Sequence, residues 1–382
     1  MLHIDGLFSK ATVMTDTAEQ YALDQLQMIC DRPCFSTTPM SIVAMPDIHP
    51  GKVGPVGLTI MQLHDSINAK IMPALIGPDI GCGVSVFEVS CKKKDMNLDR
   101  LDKVINECIP SGFRHRDASK ANPINQDLLD MFWFYGNEEY IEKEMKENMG
   151  TLGGGNHFIE LDKDDSSKIY LTIHTGSRHI GMLTYNKFMN EANCDSGIPY
   201  ELKYVKDHLA GLYFHATKAC MAFARANRMC IAKTIAAKMK WDCNPIIDSF
   251  HNYLTVTNID DQQYMILRKG ACSADLGERV VIPINMKDGI ILGTGKGNIN
   301  WNYSAPHGSG RTIMRSEVKN NHTVSEYKKV MKGIHSACIS ADTLDEAPFA
   351  YHDTDYLLPL ISETVTVDKV IKPIYNFKAG GE

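Results

Sequence analysis

Five short segments set metal-ligand or nucleophile side chains among glycines at the tips of apolar runs. Gly77-Pro78-Asp79-Ile80-Gly81-Cys82-Gly83 places a hard carboxylate and a soft thiol in one turn of the kind glycine permits. Gly150 to Phe158 is a glycine run that ends in Asn156-His157 and enters an apolar strand. Such a run can bring backbone N–H groups close to a phosphate. His174 closes a strand-like stretch before Gly176-Ser177-Arg178, a position where grafted sites commonly sit. Asp248-Ser249-Phe250-His251-Asn252 follows a long helical stretch. Ser304-Ala305-Pro306-His307-Gly308-Ser309-Gly310-Arg311 cages an imidazole between a proline and glycines, with Arg315 just beyond.

Each segment has a plainer structural reading beside the chemical one. An Asp in a Gly-Pro turn bonds the backbone, a Gly-rich hairpin just turns, and a His-Asn pair caps. Together, Asp79, Cys82, His157, His174 and His251 form an O, S and N ligand set. One thiolate and three imidazoles suffice for zinc. A carboxylate with open positions suits two metals, with Cys82 as the bridge. The spacing is not that of a zinc finger, which argues against a local structural zinc. His307 in its glycine cage suits attack on a phosphate, because neutral imidazole is the nucleophile and a neighbouring guanidinium stabilises phosphate charge.

The elements that must position these loops read as a β-rich centre with helical additions. Residues 14–31 carry apolar residues at helical spacing after a Thr-Asp start, in a mixed opening segment. From Ser41 to Val89, short apolar runs broken by Gly and Pro predict strands with tight turns. Residues 98–148 are polar and largely helical with a loop near 114–123, and a long helical region runs from about Tyr200 to Trp241. Strands are expected at 157–161, 169–176, 254–256, 264–267 and 279–283, Gly-rich loops between Gly289 and Gly310, and a helix over 322–338. No repeat or linker divides the chain. The expected fold is therefore α+β: one large mixed domain over 1–382, with a β-rich centre, Gly-rich active-site loops and peripheral helices.

The 382 residues carry a net charge of −6, with 44% hydrophobic and 23% charged residues. That composition excludes a disordered chain or one basic throughout, though not a local basic patch. No apolar run is long enough for a membrane span and the start lacks the pattern of a secretory signal, so a cytoplasmic location is expected. The eleven cysteines then read mostly as small buried hydrophobes.

The motifs together resemble the RtcB family of RNA ligases. The resembling segments are 45–51 (MPDIHPG), 78–84 (PDIGCGV), 150–160 (GTLGGGNHFIE), 173–178 (IHTGSR), 250–252 (FHN), 268–271 (RKGA), 304–311 (SAPHGSGR) and 377–378 (FK). They span nearly the whole chain in the family's order. The resemblance implies ligation of an RNA 3′-phosphate or 2′,3′-cyclic phosphate end to a 5′-hydroxyl end, with GTP and two Mn²⁺. It places one metal on Asp79, Cys82 and His157, and the second on Cys82, His174 and His251. It makes His307 the guanylylated residue, with Asp47 orienting it. It draws the GTP pocket from Asn156, His157, Phe158, Ile159, Glu160, Asn252, Pro283, Ile284, Asn285, Met286, Gly308, Ser309, Gly310 and Lys378. It sets Arg178, Lys269 and Arg315 near RNA phosphates, with Arg311 beside the nucleophile. The family usually has Pro-Gly-Ser-Met-Gly where this chain has Pro283-Ile284-Asn285-Met286, and often Lys where this chain has His352. The implied setting is RNA repair or tRNA splicing in a compact bacterial or phage-type branch, with an archease-like activator as a partner. Two other activities fit the same residues: a guanylyltransferase that caps 3′-phosphate ends without joining, and a non-catalytic metal- and RNA-binding protein.

Overall fold

The computed structural model of the chain describes residues 1–33, 40–64, 70–194 and 200–379. A six-stranded sheet has the order β1-β2-β3-β4-β10-β9, with β1 Leu2–Asp5, β2 Lys10–Val13, β3 Met40–His49, β4 Val56–Leu63, β9 Asn252–Ile259 and β10 Gln262–Lys269. A seven-stranded sheet has the order β12-β13-β15-β6-β7-β5-β8. Its strands are β5 Gly83–Ser90, β6 Phe158–Lys163, β7 Ile169–Thr175, β8 Asp242–Phe250, β12 Arg279–Asn285, β13 Gly289–Gly295 and β15 Val365–Lys378. A short ladder pairs β11 (Ala271–Ser273) with β14 (Ser304–Pro306). The α+β class is as expected. Among the described residues no helix is long and apolar enough to cross a membrane.

The helical stretches are close to their predicted places. They are α1 Gln20–Cys30; α2 Leu98–Cys108, α3 Gln126–Asp130 and α4 Glu138–Asn148 within 98–148; and α6 Asp207–Met239. The last has 33 residues, about 50 Å of helix, rich in Ala and Met and free of proline. It ends at Lys240, whose left-handed backbone (φ 62°) returns its N–H to the Ala236 carbonyl. Its first half buries Tyr213, Ala216, Cys220 and Phe223 in a core shared with α1, β3 and β4. Its second half buries Ile231, Ile235 and Met239 in a core shared with α2 and β5, β6 and β7. The middle of α6 therefore lies where the two cores meet.

The structure differs from the sequence reading in several places. The stretch 289–310 is not all loop. It holds β13 and β14, and its glycines allow close approach, since a β-carbon on Gly289 would collide with the Ile371 backbone. The tail is a 14-residue strand inside the sheet, and Pro373 is tolerated there because the register slips at that point. β8 contains Pro245, which an edge strand accepts. The expected helix over 322–338 is shorter, with α8 at Val324–Val330 after α7 at Arg315–Asn321. The helices α5 (His179–Glu191) and α9 (Thr354–Ile361) had no clear periodic signal.

Candidate active site

Antiparallel pairing gathers the ligand-type residues at one end of the seven-stranded sheet. In the local order β6-β7-β5-β8, β6 starts where β7 ends, and β5 starts where β8 ends. Phe158 pairs with His174, and Gly83 pairs with both Thr175 and Phe250. Residues far apart in sequence thus emerge side by side, and the His251 N–H bonds the Cys82 carbonyl at 2.9 Å.

Cys82 Sγ lies 3.2 Å from His174 Nε2 and 3.4 Å from His157 Nε2. His157 Nε2 is also 3.4 Å from Asp79 Oδ2, and His174 Nε2 is 3.3 Å from His251 Nε2. The ligand atoms of Cys82, His157 and His174 all fall within 4.8 Å of one another, and all three residues are buried. His157 Nδ1 sits 2.9 Å from the Leu152 carbonyl, which only accepts, so Nδ1 carries a proton and Nε2 is the nitrogen that faces the cluster. Burial holds His174 and His251 well below the usual imidazole range, which is the neutral, ligating form. Burial, then Asp79, pushes the Cys82 thiol up. Burial works to raise Asp79, but the His157 hydrogen bond and charge hold its carboxyl below the usual carboxylate range. A thiol beside a carboxylate and three imidazoles is a donor set that a soft or borderline cation satisfies, and such a cation releases the thiol proton. The residues present fit a metal.

His307 follows β14 and faces this cluster, its ring centroid 4.9 Å from that of His251. Its Nδ1 donates to Asp47 Oδ2 at 2.7 Å, and the Gly308 N–H reaches the same oxygen at 3.2 Å. Asp47 is fully buried on a stretch of β3 where the register against β4 slips between Ala44 and His49. Holding the proton at Nδ1 leaves His307 Nε2 as the free, nucleophilic nitrogen.

Two cavities flank His307. One, of about 770 Å³, is lined by Asn156, Phe158, Glu160, Pro283 to Met286, His307 to Arg311, Tyr351, Asn376 and Lys378. At its back Asn376 donates to Glu160 Oε2, and the buried Asp162 lies next to Glu160. Burial raises both carboxyls, Asp162 far more, with Glu160 adding to that rise. Of the two, Asp162 therefore takes a proton more readily, and Glu160 Oε1 has no hydrogen-bond partner among the described residues. On another wall the buried Glu346 accepts from Lys378 Nζ at 2.5 Å, from Tyr351 at 2.7 Å and from Arg315. The second cavity, of about 810 Å³, is lined by Asp79, Cys82, His251, Asn252, Lys269 and again His307. Cys82 and His307 thus share one cavity.

A family model described as tRNA-splicing ligase RtcB matches residues 33–140 and 135–379. The chain belongs to the RtcB family. It is similar to RNA-splicing ligase RtcB2 of Escherichia coli, 26% identical over 95% of this chain and 93% of that protein. It is 27% identical to the RNA-splicing ligase RtcB of E. coli K12, over 88% and 90% of the two chains. It is 27% identical to the tRNA-splicing ligase RtcB of Aeropyrum pernix, over 82% of each. The family is one of RNA-splicing ligases, and the Cys/His/His cluster is compatible with metal binding.

Within this RtcB chain some sequence-predicted residues sit differently from expectation. Ile159 does not line the first cavity: alternation along β6 turns it into the core with Leu161 and Phe377. Asn252 is in the other cavity, donating to the Asp79 carbonyl at 3.2 Å and accepting from the Gly270 N–H at 2.8 Å. Lys269 Nζ donates to the carbonyls of Val53 and Gly54, and burial lowers it to about 8. Arg178 has a left-handed backbone (φ 57°) and folds over Gly153, where a β-carbon would collide with it, to reach His157. Arg311 is held by Tyr351 at 2.8 Å and the Asp345 carbonyl at 2.6 Å. Arg315 pairs with Glu346 and Asp345, with half of its side chain exposed.

Sequence reasoning missed Glu346, Tyr351 and Asn376. It also missed Asn227 and Arg228 on α6, both fully buried. Asn227 accepts from the Gly150 N–H at 2.7 Å and the Thr151 N–H at 3.1 Å, and donates to the Thr151 and Gly176 carbonyls. Arg228 donates to the Thr175 carbonyl at 2.8 Å, to Ser85 at 2.7 Å and to Asp248 at 2.8 Å. Two successive residues thus pin the segments that carry His157, His174, Cys82 and His251. An adjacent Asn-Arg pair inside an Ala-rich helix was the one available signal.

Proposed function

We propose that the chain is a GTP- and Mn²⁺-dependent RNA ligase. In this reading, one catalytic domain joins 3′-phosphate or 2′,3′-cyclic phosphate ends to 5′-hydroxyl ends. The observation that carries the reading is His307, oriented by Asp47, standing between a cavity and a thiol–imidazole cluster. The ligase names of the relatives support the same reading.

Glu160 would accept from the N–H edge of guanine, which adenine lacks. Lys378 and the Gly308–Gly310 backbone line the same cavity, and His307 Nε2 would attack the α-phosphate of GTP. Asp47 would retain the Nδ1 proton and stabilise the charge that grows on the ring. Pyrophosphate leaves, and the guanylyl group passes from His307 to the RNA 3′-phosphate, making a 3′-pp-5′-G end. The 5′-hydroxyl then attacks and GMP departs. Asp79, Cys82, His157, His174 and His251 would hold Mn²⁺ in preference to the oxygen-seeking Mg²⁺. When bound, the metal would withdraw charge from the phosphate under attack.

The test is incubation with α-labelled GTP and Mn²⁺. A covalent label that is acid-labile, base-stable and absent in His307→Ala is expected. No label under several metals and nucleotides would refute the proposal.

A further inference from the structure

The segment Met45 to Gly51 ends β3 beside His307, and the chemistry above uses only its Asp47. His49, two residues on, stacks against His307 with ring centroids 6.3 Å apart and planes 22° apart. Its Nδ1 lies 2.8 Å from the Asp47 carbonyl oxygen. A carbonyl accepts only, so Nδ1 carries the proton and Nε2 keeps a lone pair. No partner for Nε2 occurs among the described residues.

His49 is also where the openings meet. It lines the nucleotide cavity and the cavity of Asp79, Cys82 and His251. It lines as well a wide cleft of about 2110 Å³ bordered by Glu19, Thr312, Met314, Arg315 and His352. Those three lining sets have no other residue in common. His49 thus borders the way from the cleft to His307, with Arg311 and Arg315, which line both the cleft and the first cavity, on the same route. The other basic groups facing His307 are already engaged. Lys269 donates to two carbonyls, Asp47 holds His307, and the cluster imidazoles face one another and Cys82.

We propose that His49 is the general base of the sealing step, taking the proton of the RNA 5′-hydroxyl. The proposal rests on the ligase reading. The His49 Nε2–H bond forms as the O5′–H bond breaks, and O5′ bonds to the phosphorus of the activated 3′ end. The bond from that phosphorus to the bridging oxygen of GMP breaks, GMP leaves with the electron pair, and the imidazolium later returns its proton to solvent. The charged and titratable neighbours of the ring are Asp47, His307 and Arg311. Burial, with His307 and Arg311, outweighs Asp47 and keeps the ring neutral.

The experiment separates the two half-reactions. Purified full-length protein is given preformed RNA-3′-pp-5′-G and a 5′-hydroxyl strand in single turnover, and His307 labelling from GTP is measured in parallel. His49→Ala and His49→Gln are expected to slow sealing by about 10²–10⁴-fold. Labelling should fall far less than sealing in both, and added imidazole should restore sealing in His49→Ala. A 5′-thiol strand, which ionises without help, should shrink the defect. Sealing at the wild-type rate in both variants overturns the proposal. So does a parallel loss of sealing and labelling in both, which would make His49 a support for His307. Absence of label in the unmutated protein would instead fail the ligase reading itself.

Discussion

Arg228→Met removes a guanidinium with no exposed surface from the junction of the two cores. The Thr175 carbonyl loses a 2.8 Å bond, Ser85 loses one of 2.7 Å, and Asp248 loses its buried partner. Breaking a buried ion pair from one side costs about 3–5 kcal/mol. The lower end applies, because Asp248 keeps the exposed Arg225 at 2.6 Å. Against a typical total of about 5–15 kcal/mol that loss is large. Urea denaturation followed by circular dichroism should show it as an earlier midpoint at unchanged slope. The double variant Arg228→Met/Asp248→Leu removes the stranded carboxylate as well and should recover part of the loss. Gly81 and Thr175 flank Cys82 and His174, so Co²⁺ affinity, read from the thiolate-to-metal absorption band, should fall at least about tenfold in both variants, about 1.4 kcal/mol. A single variant within 1 kcal/mol of the unmutated protein, or a double variant no better than the single, would refute the reasoning.

Asp47→Asn should slow His307 labelling by about 10–100-fold, the equivalent of losing a charge-assisted hydrogen bond of roughly 1.5–3 kcal/mol, as measured by initial rates with labelled GTP. Lys269 should make stability rise with pH. Below about 8 both states are protonated; above it the folded state releases the proton that the unfolded chain keeps to about 10.5. The gap is worth about 3 kcal/mol at most, and this rising contribution between pH 8 and 10 should be missing in Lys269→Met when urea melts of the two proteins are compared across that range. Arg315→Ala should lower labelling and joining together, because Arg315 shares Glu346 with Lys378 and both line the proposed GTP cavity; loss of joining alone would return Arg315 to the RNA.

The residue types and the local turns were legible without coordinates. Helical patterning covered α1 within 14–31, α2 and α4 within 98–148 and α6 within 200–241, because side-chain spacing along one helix is a local property. The glycine cages around Cys82 and His307 were visible for the same reason. So was the case for an O, S and N ligand set, since softness and charge belong to the residue itself.

What only the tertiary structure decided is which of these residues meet. Cys82, His157, His174 and His251 converge because β6, β7, β5 and β8 pair antiparallel in an order unrelated to their order in the chain. The partners of Arg315 and Lys378 lie 31 and 32 residues away on Glu346, which carries no motif of its own. Arg228, on a long helix, is fully buried because two cores close around it. Strand pairing and burial are long-range outcomes of packing the whole chain, so no local window of sequence contains them.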